Sequence, residues 1–241
     1  MHNFKFMQNN KIMHKKEAVT TLSEQAFHVL RQDVLSGRHL PESKLKVDAL
    51  QTLYGFSSSP LREALSRLVQ EGLVKSDERR GFRVTAISPE DLVDITKMRL
   101  MLDIPALRES IRLGDDAWEA QIVASFHRLE KIESRLPQGP VVLDADWSQR
   151  HRDFHRALIA ACPSERQLAW SMSLFDQAER YRHFAARNRT VSKKKDEEHR
   201  TLMKAVLRRD VETAAVLLAE HISSTQTNVM AAFALQAKQR L

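Results

Sequence analysis

Cysteine is almost absent from this chain. Cys162 is the single one in 241 residues, so no disulfide can close within the chain, and a reducing compartment fits. Its place just before Pro163, near an expected helix end, reads as small-residue packing rather than as a nucleophile. Glycine and proline are scarce, at six and seven. Sheet-rich folds need more turn residues than that, so a mostly α architecture is predicted. Long apolar runs are missing too. No stretch of 18 apolar residues exists, which excludes a membrane-spanning helix. The N-terminus has no apolar core of the signal-peptide kind. The expectation is a cytoplasmic protein with no membrane partner. What remains, 42% hydrophobic and 29% charged residues, is the balance of a globular chain of one large or two ordinary domains.

Charge is the first positive feature. The net charge is +7, of which +3 falls in residues 1–17. The basicity is modest and front-loaded, so it permits nucleic-acid binding without requiring it. Residues 1–17 read as a disordered basic arm, either lying on DNA phosphates or of little consequence.

The stretch that organises the rest is SSSPLREALSRLVQEGL, residues 57–73. Ser59 is expected to cap a helix, with Pro60 as its first residue and Gly72 as its left-handed stop. Leu61, Ala64, Leu65, Leu68 and Val69 form one apolar stripe. Ser58, Ser59, Arg62 and Ser66 fall elsewhere, with Arg67 beside them. Such a helix suits a DNA major groove: its free N–H groups can meet phosphate and its arginines can reach phosphate or guanine. The alternative is an ordinary amphipathic helix with solvated arginines.

A helix from Ser23 to Gly37 is predicted ahead of it, with Ala26, Phe27, Leu30, Val34 and Leu35 inward. A short one follows over Val47–Tyr54, broken by Gly55. Two short helices across a tight glycine turn are a helix-turn-helix signature. After them, Leu73–Lys75 and Phe82–Thr85 alternate as a hairpin, or wing. Its tip, carrying Arg79, Arg80 and Gly81, can touch a DNA backbone or stay solvated.

This order of parts resembles the winged-helix domain of the GntR family of bacterial transcription regulators. The matching text is ESKL at 42–45, SPLREALSRLVQEGLV at 59–74 and RRGFRV at 79–84. Many members carry an arginine where this chain has Ser58. The resemblance implies a DNA-binding domain over 18–86 that meets double-stranded operator DNA. One helix reads only a few base pairs, so a homodimer on a palindromic site is expected.

Residues 87–241 differ in kind. Helices are predicted over about 88–113 (bent near Pro105), 116–136, 143–161, 164–187, 192–208 and 210–237. Short connections suggest an antiparallel all-helical bundle. His151 and His155 lie four apart and share a helix face. His199 and His221 lie at nearly equal distances either side of a turn near Arg209–Asp210, hence at one height of a helical hairpin. Three or four imidazoles can converge there as a metal site; otherwise they are a surface pair and a coincidence of height.

This half resembles the FCD ligand-binding domain of the FadR subgroup of GntR regulators. The pieces are Arg99 with Asp103, HRDFH at 151–155, DEEH at 196–199 and AEH at 219–221. By resemblance His155, His199 and His221 hold a divalent metal, Zn²⁺ first and Ni²⁺ second, and His151 stands where the family usually has a carboxylate. The stretches DDAWEA at 115–120 and LFDQAERYR at 174–182 resemble glutarate-responsive members. The effector implied is a small carboxylate such as glutarate, with Arg99 and Arg182 as forks for its carboxylates. Alternatively, Arg99 pairs with Asp103 and Arg182 is solvated.

The function expected is a DNA-binding repressor modulated by a small carboxylate. The competing reading is a metal-dependent enzyme built on the histidines. Against it stand the absence of a nucleophile triad, a glycine-rich phosphate loop or an HExxH glutamate, and a helix-turn-helix left unexplained.

Overall fold

The computed structural model of the chain describes residues 20–77, 81–136, 141–188 and 195–239. Among them it holds nine helices and one three-stranded sheet. The expected arm at 1–17 and Arg79 and Arg80 of the wing tip lie outside the described residues.

Helix α1 (Leu22–Leu35) buries the five apolar residues expected of it. Its cap is Thr21 rather than Ser23: the Thr21 hydroxyl accepts the Glu24 N–H at 3.2 Å, while Ser23 donates to Glu63 at 2.6 Å. Helix α2 (Val47–Tyr54) ends at Gly55, whose φ of 74° is left-handed. Helix α3 (Ser58–Gln70) begins earlier than expected, with Ser57 at the cap position and no side-chain cap bond. Pro60 is therefore the third helical residue, which costs nothing because first-turn N–H groups have no intrahelical acceptor. Leu61, Ala64, Leu65 and Leu68 pack inward against α1 at zero exposure.

The wing has one strand more than predicted. β1 (Lys44–Leu45) pairs antiparallel with β3 (Gly81–Val84), and β3 with β2 (Val74–Asp77). The order is β1-β3-β2. Two residues are too short for an alternation signal, so β1 is set by its partner rather than by its own pattern.

Helix α4 (Pro89–Leu113) runs unbroken through Pro105. One N–H is lost there, yet Ala106 and Leu107 just beyond are fully buried, and their packing holds the helix. Helices α5 (Asp116–Glu133), α6 (Ala145–Ile159), α7 (Glu165–Asn188), α8 (Lys195–Leu207) and α9 (Val211–Gln239) complete the bundle. The Asp144 side chain accepts the Trp147 N–H at 2.8 Å and so starts α6 two residues later than predicted.

The bundle core includes Leu107, Ile122, Leu129, Phe154 and Leu158 and is a separate cluster from the winged-helix core. A third cluster, with Leu92, Ile95, Tyr181 and Val229 of α4, α7 and α9, lies within the bundle beside the start of α4, which leads out of the winged helix. There Arg180 donates to the Thr85 and Ala86 carbonyls at 2.7 and 3.3 Å.

Candidate metal and nucleic-acid sites

Helix α3 presents Ser58, Ser59, Arg62 and Ser66 to solvent. The Ser66 hydroxyl donates to the Arg62 carbonyl at 2.9 Å, within the helix. The start of α3 carries no side-chain cap, so its first N–H groups face outward. Gly81 is exposed with φ 84°, at the end of β3 that leads to the wing tip. Arg67 lies beside that face of α3 and is half-buried. Its guanidinium lies over the Phe27 ring, 3.8 Å from the centroid, and 4.0 Å from Glu24. A guanidinium is attracted to an aromatic face, so this contact ties α3 to α1 while the Arg67 side chain stays 38% exposed.

The four histidines come together. His151, His155, His199 and His221 each offer a nitrogen, and these four atoms lie within 4.8 Å of one another. His151 and His155 project from α6, His199 from α8 and His221 from α9. The hairpin places the rings of His199 and His221 4.8 Å apart between centroids; His155 and His221 stack at 5.1 Å. All four are at most 7% exposed.

Their hydrogen bonds point the same way. His199 Nδ1 lies 3.2 Å from Glu133 Oε2, and His221 Nδ1 lies 3.0 Å from Glu198 Oε2. A carboxylate on one ring nitrogen fixes the tautomer and leaves the other as an electron-pair donor. The buried Nε2 of His199, Nε2 of His155 and Nδ1 of His151 have no hydrogen-bond partner. Buried polar atoms are rarely left so; a cation held by the cluster would satisfy the two Nε2 atoms, while His151 Nδ1 faces Glu179 at 3.9 Å. Burial, with the neighbouring histidines, holds His155 well below its ordinary pKa. Burial does the same to His151 against the pull of Glu179. These imidazoles are neutral, as ligands must be.

Arg99 and Arg182 flank the same spot. Their guanidinium carbons lie 5.1 and 4.2 Å from the Phe175 ring centroid, and that ring lies 5.2 and 5.1 Å from those of His151 and His155. Arg99 pairs with Asp103 at 3.0 Å, as one of the two alternatives held. Arg182 is not solvated: it is 4% exposed and donates to Glu179 at 2.6 Å and to the Phe175 carbonyl at 2.9 Å. Burial alone would raise the Glu179 carboxyl, but Arg182, His151 and His183 together hold it well below the usual range. A small cleft of about 10 Å³, bordered by Arg99, Asp103, His155, Ser171, Phe175 and Leu218, opens beside His155. A larger one, about 60 Å³, lies between α1 and the bundle and is lined by none of the four histidines.

Sequence reading missed Glu133, Glu198 and Glu179. Glu198 adjoins His199, and Glu179 shares a face with Arg182 and His183 at i+3 and i+4, so both had a local signal. Glu133 lies 66 residues from His199 and had none.

A winged helix with an outward-facing helix start, joined to a helical bundle enclosing a polar pocket, defines a one-component regulator: a DNA-reading module and a sensing module in one chain. The chain belongs to the GntR family of bacterial regulatory proteins, matched over residues 22–84, and carries an FCD domain, matched over residues 94–224. It is similar to the HTH-type transcriptional regulator BphR of Paraburkholderia xenovorans (strain LB400), 40% identical over 86% of this chain and 84% of that one. It is also similar to the HTH-type transcriptional repressor GlaR of Escherichia coli (strain K12), 36% identical over 85% and 94%. In fold it resembles E. coli McbR/YncC, with a TM-score of 0.73 at 20% identity over 90% of this chain and 99% of that one. These relatives place the chain among transcription regulators, and the enzyme alternative finds no support in them. No helix among the described residues is long and apolar enough to cross a membrane.

Proposed function

We propose that the chain is a cytoplasmic repressor whose two halves, residues 18–86 and 87–241, read an operator and a small carboxylate respectively. The observation that carries the sensing half is the buried cluster of four histidines whose nitrogens lie within 4.8 Å of one another, with Nε2 of His155 and of His199 lacking a hydrogen-bond partner. A divalent ion, Zn²⁺ first and Ni²⁺ second, suits an all-imidazole donor set. His155, His199 and His221 hold it, with His151 as the fourth ligand where the family usually has a carboxylate. A bound divalent ion supplies positive charge that four neutral histidines leave uncompensated, and so attracts an acid. Arg99 and Arg182 orient that acid's carboxylates, and the cleft beside His155 must open for a short dicarboxylate to enter. Glutarate is the first candidate, supported by the likeness to glutarate-responsive members.

On the DNA side, Ser58, Ser59 and Arg62 meet the operator, with Arg80 and Gly81 of the wing at its flank. Ser66 and Arg67, one turn further along the same helix, extend that contact. The protein acts as a homodimer on a palindrome. Val93, Met98 and Met101 stay exposed on α4 and offer apolar surface to a second copy. Effector binding changes the placement of the two DNA-binding domains.

The test combines two measurements on one preparation. Fluorescence anisotropy with duplex DNA from upstream of the gene is expected to show tight, salt-sensitive binding. A thermal-shift screen of mono- and dicarboxylates, with and without Zn²⁺, is expected to show the largest rise for a dicarboxylate with metal. A rise indifferent to both metal and acid overturns the sensing half of the proposal.

A further inference from the structure

Asp176 on α7 is a carboxylate at 4% exposure, and it is gripped from two sides. Arg152 of α6 holds it in a fork, Nε at 2.8 Å and the outer nitrogen at 3.1 Å. Arg31 of α1 pairs with it from the winged-helix side. Arg31 also donates from Nε to Glu71 at 2.9 Å, and Glu71 is the C-cap residue of α3. Burial works against the Arg31 charge, but Asp176 and Glu71 outweigh it and raise its pKa. One polar chain thus runs Glu71, Arg31, Asp176, Arg152, from the end of α3 to the helix that carries two of the four histidines.

Its bundle end touches the ligand site. Arg152 directly follows His151. Asp176 directly follows Phe175, whose ring packs on His151 and His155. One turn further, Glu179 lies 3.9 Å from His151. Among the described residues, the other side-chain bonds across the junction do not involve α6: Arg180 reaches Thr85 and Ala86, and Arg187 reaches the Ser36 carbonyl. A cleft beside Asp176 has Arg31 and His28 on one wall and Arg152 and His183 on the other, so α1 and the bundle are not packed solid around this carboxylate.

A buried carboxylate shared by two guanidiniums is poorly tolerant of losing either one. A shift of α6 that stretches the Arg152 fork throws the charge of Asp176 onto Arg31, and networks of this kind switch between discrete arrangements rather than stretching smoothly.

We propose that Asp176 is the positioning residue that transmits ligand-driven movement of α6 to α3, through Arg152 on one side and Arg31 and Glu71 on the other. The inference rests on the reading of the histidine cluster as the ligand site and of α3 as the helix that meets DNA.

The experiment uses the full chain in three forms: parent, Asp176→Asn and Arg152→Met. Each is followed with Zn²⁺ and glutarate as probes by metal content, upstream-DNA affinity and hydrogen exchange over residues 22–35 and 58–70. The parent is expected to lose DNA affinity about tenfold on adding both probes. Both variants are expected to load metal and bind DNA as the parent does, yet to respond by less than about twofold, with exchange in 58–70 unmoved. A folded variant that responds as the parent does overturns the relay. Arg152 is partly exposed, and its replacement keeps the aliphatic stem, so this variant decides the matter if Asp176→Asn fails to fold. A parent that binds DNA and metal but shows no exchange change in α1 or α3 overturns the relay while leaving the regulator reading standing. A parent that binds no DNA removes the reading beneath it.

Discussion

The helix starts of the two halves are built differently. In the bundle, Ser88, Asp115, Asp144, Ser164 and Asp210 each accept a backbone N–H from the first turn of the helix that follows. In the winged helix, α1 is capped by Thr21, but α2 and α3, the two helices of the helix-turn-helix, have no side-chain cap. A cap stabilises a helix by about 1 kcal/mol and occupies a donor. Leaving it out costs stability and keeps N–H groups open to an anion. The bundle closes its helix ends and buries its charges inward, around the histidines. The helix-turn-helix leaves its two helix starts without side-chain caps and turns Arg62 outward.

The sharpest way to break this contrast is to open the bundle core. Phe154 is fully buried between Phe126, His155 and His199. Phe154→Ala is expected to destabilise the bundle by about 3–5 kcal/mol and to abolish metal loading. The winged helix, with a core of its own, keeps its fold. Urea unfolding followed separately by Trp fluorescence, whose three reporters all lie in the bundle, and by DNA anisotropy separates the two; equal loss in both would join the cores into one unit.

On the other side, Arg62→Ala removes an exposed side chain and leaves no cavity. DNA affinity is expected to fall by about 1–3 kcal/mol per half-site, with the melting temperature unchanged. Unaltered affinity would place the DNA surface elsewhere.

Acid distinguishes the halves next. His151 and His155 are held well below 6.5 by burial, so as pH falls through 6.5 the unfolded chain takes up protons that the folded bundle refuses. Stability of the metal-free protein is therefore flat above about pH 7 and declines below it, by about 1.4 kcal/mol per pH unit for each such histidine. Urea midpoints from pH 7.5 to 5 read the slope, and a bundle indifferent to pH across that range would contradict neutral, buried rings.

The smallest effect tests the caps themselves. Asp115→Ala and Asp144→Ala are each expected to cost about 1 kcal/mol. Ser57→Ala, which removes no cap bond, is expected to change stability by less than about 0.5 kcal/mol while weakening DNA binding. Thermal melts and anisotropy on the same three variants decide it.

Much of this was legible in the chain. The apolar stripes of α1 and α3, the glycine stops at Gly55 and Gly72, and the six bundle helices follow from signals that span only a few residues. The equal spacing of His199 and His221 about their turn placed them at one height, because helical rise is constant. Other features were not legible. β1 is two residues long and exists through pairing with β3. The stacking of Arg67 on the Phe27 ring of α1 had no local signal, because the two lie 40 residues apart.

The sequence by itself determined the mostly helical class, the winged-helix order, the family and the four histidines, since periodicity, capping and motif spacing are local. Tertiary structure alone decided which carboxylates stand behind those histidines, that Arg182 is buried rather than solvated, and that Asp176 joins α6 to α1. Such partners lie as far as 145 residues apart in the chain, as Arg31 and Asp176 do. They meet only when helices pack, and only burial then makes their charges strong enough to matter.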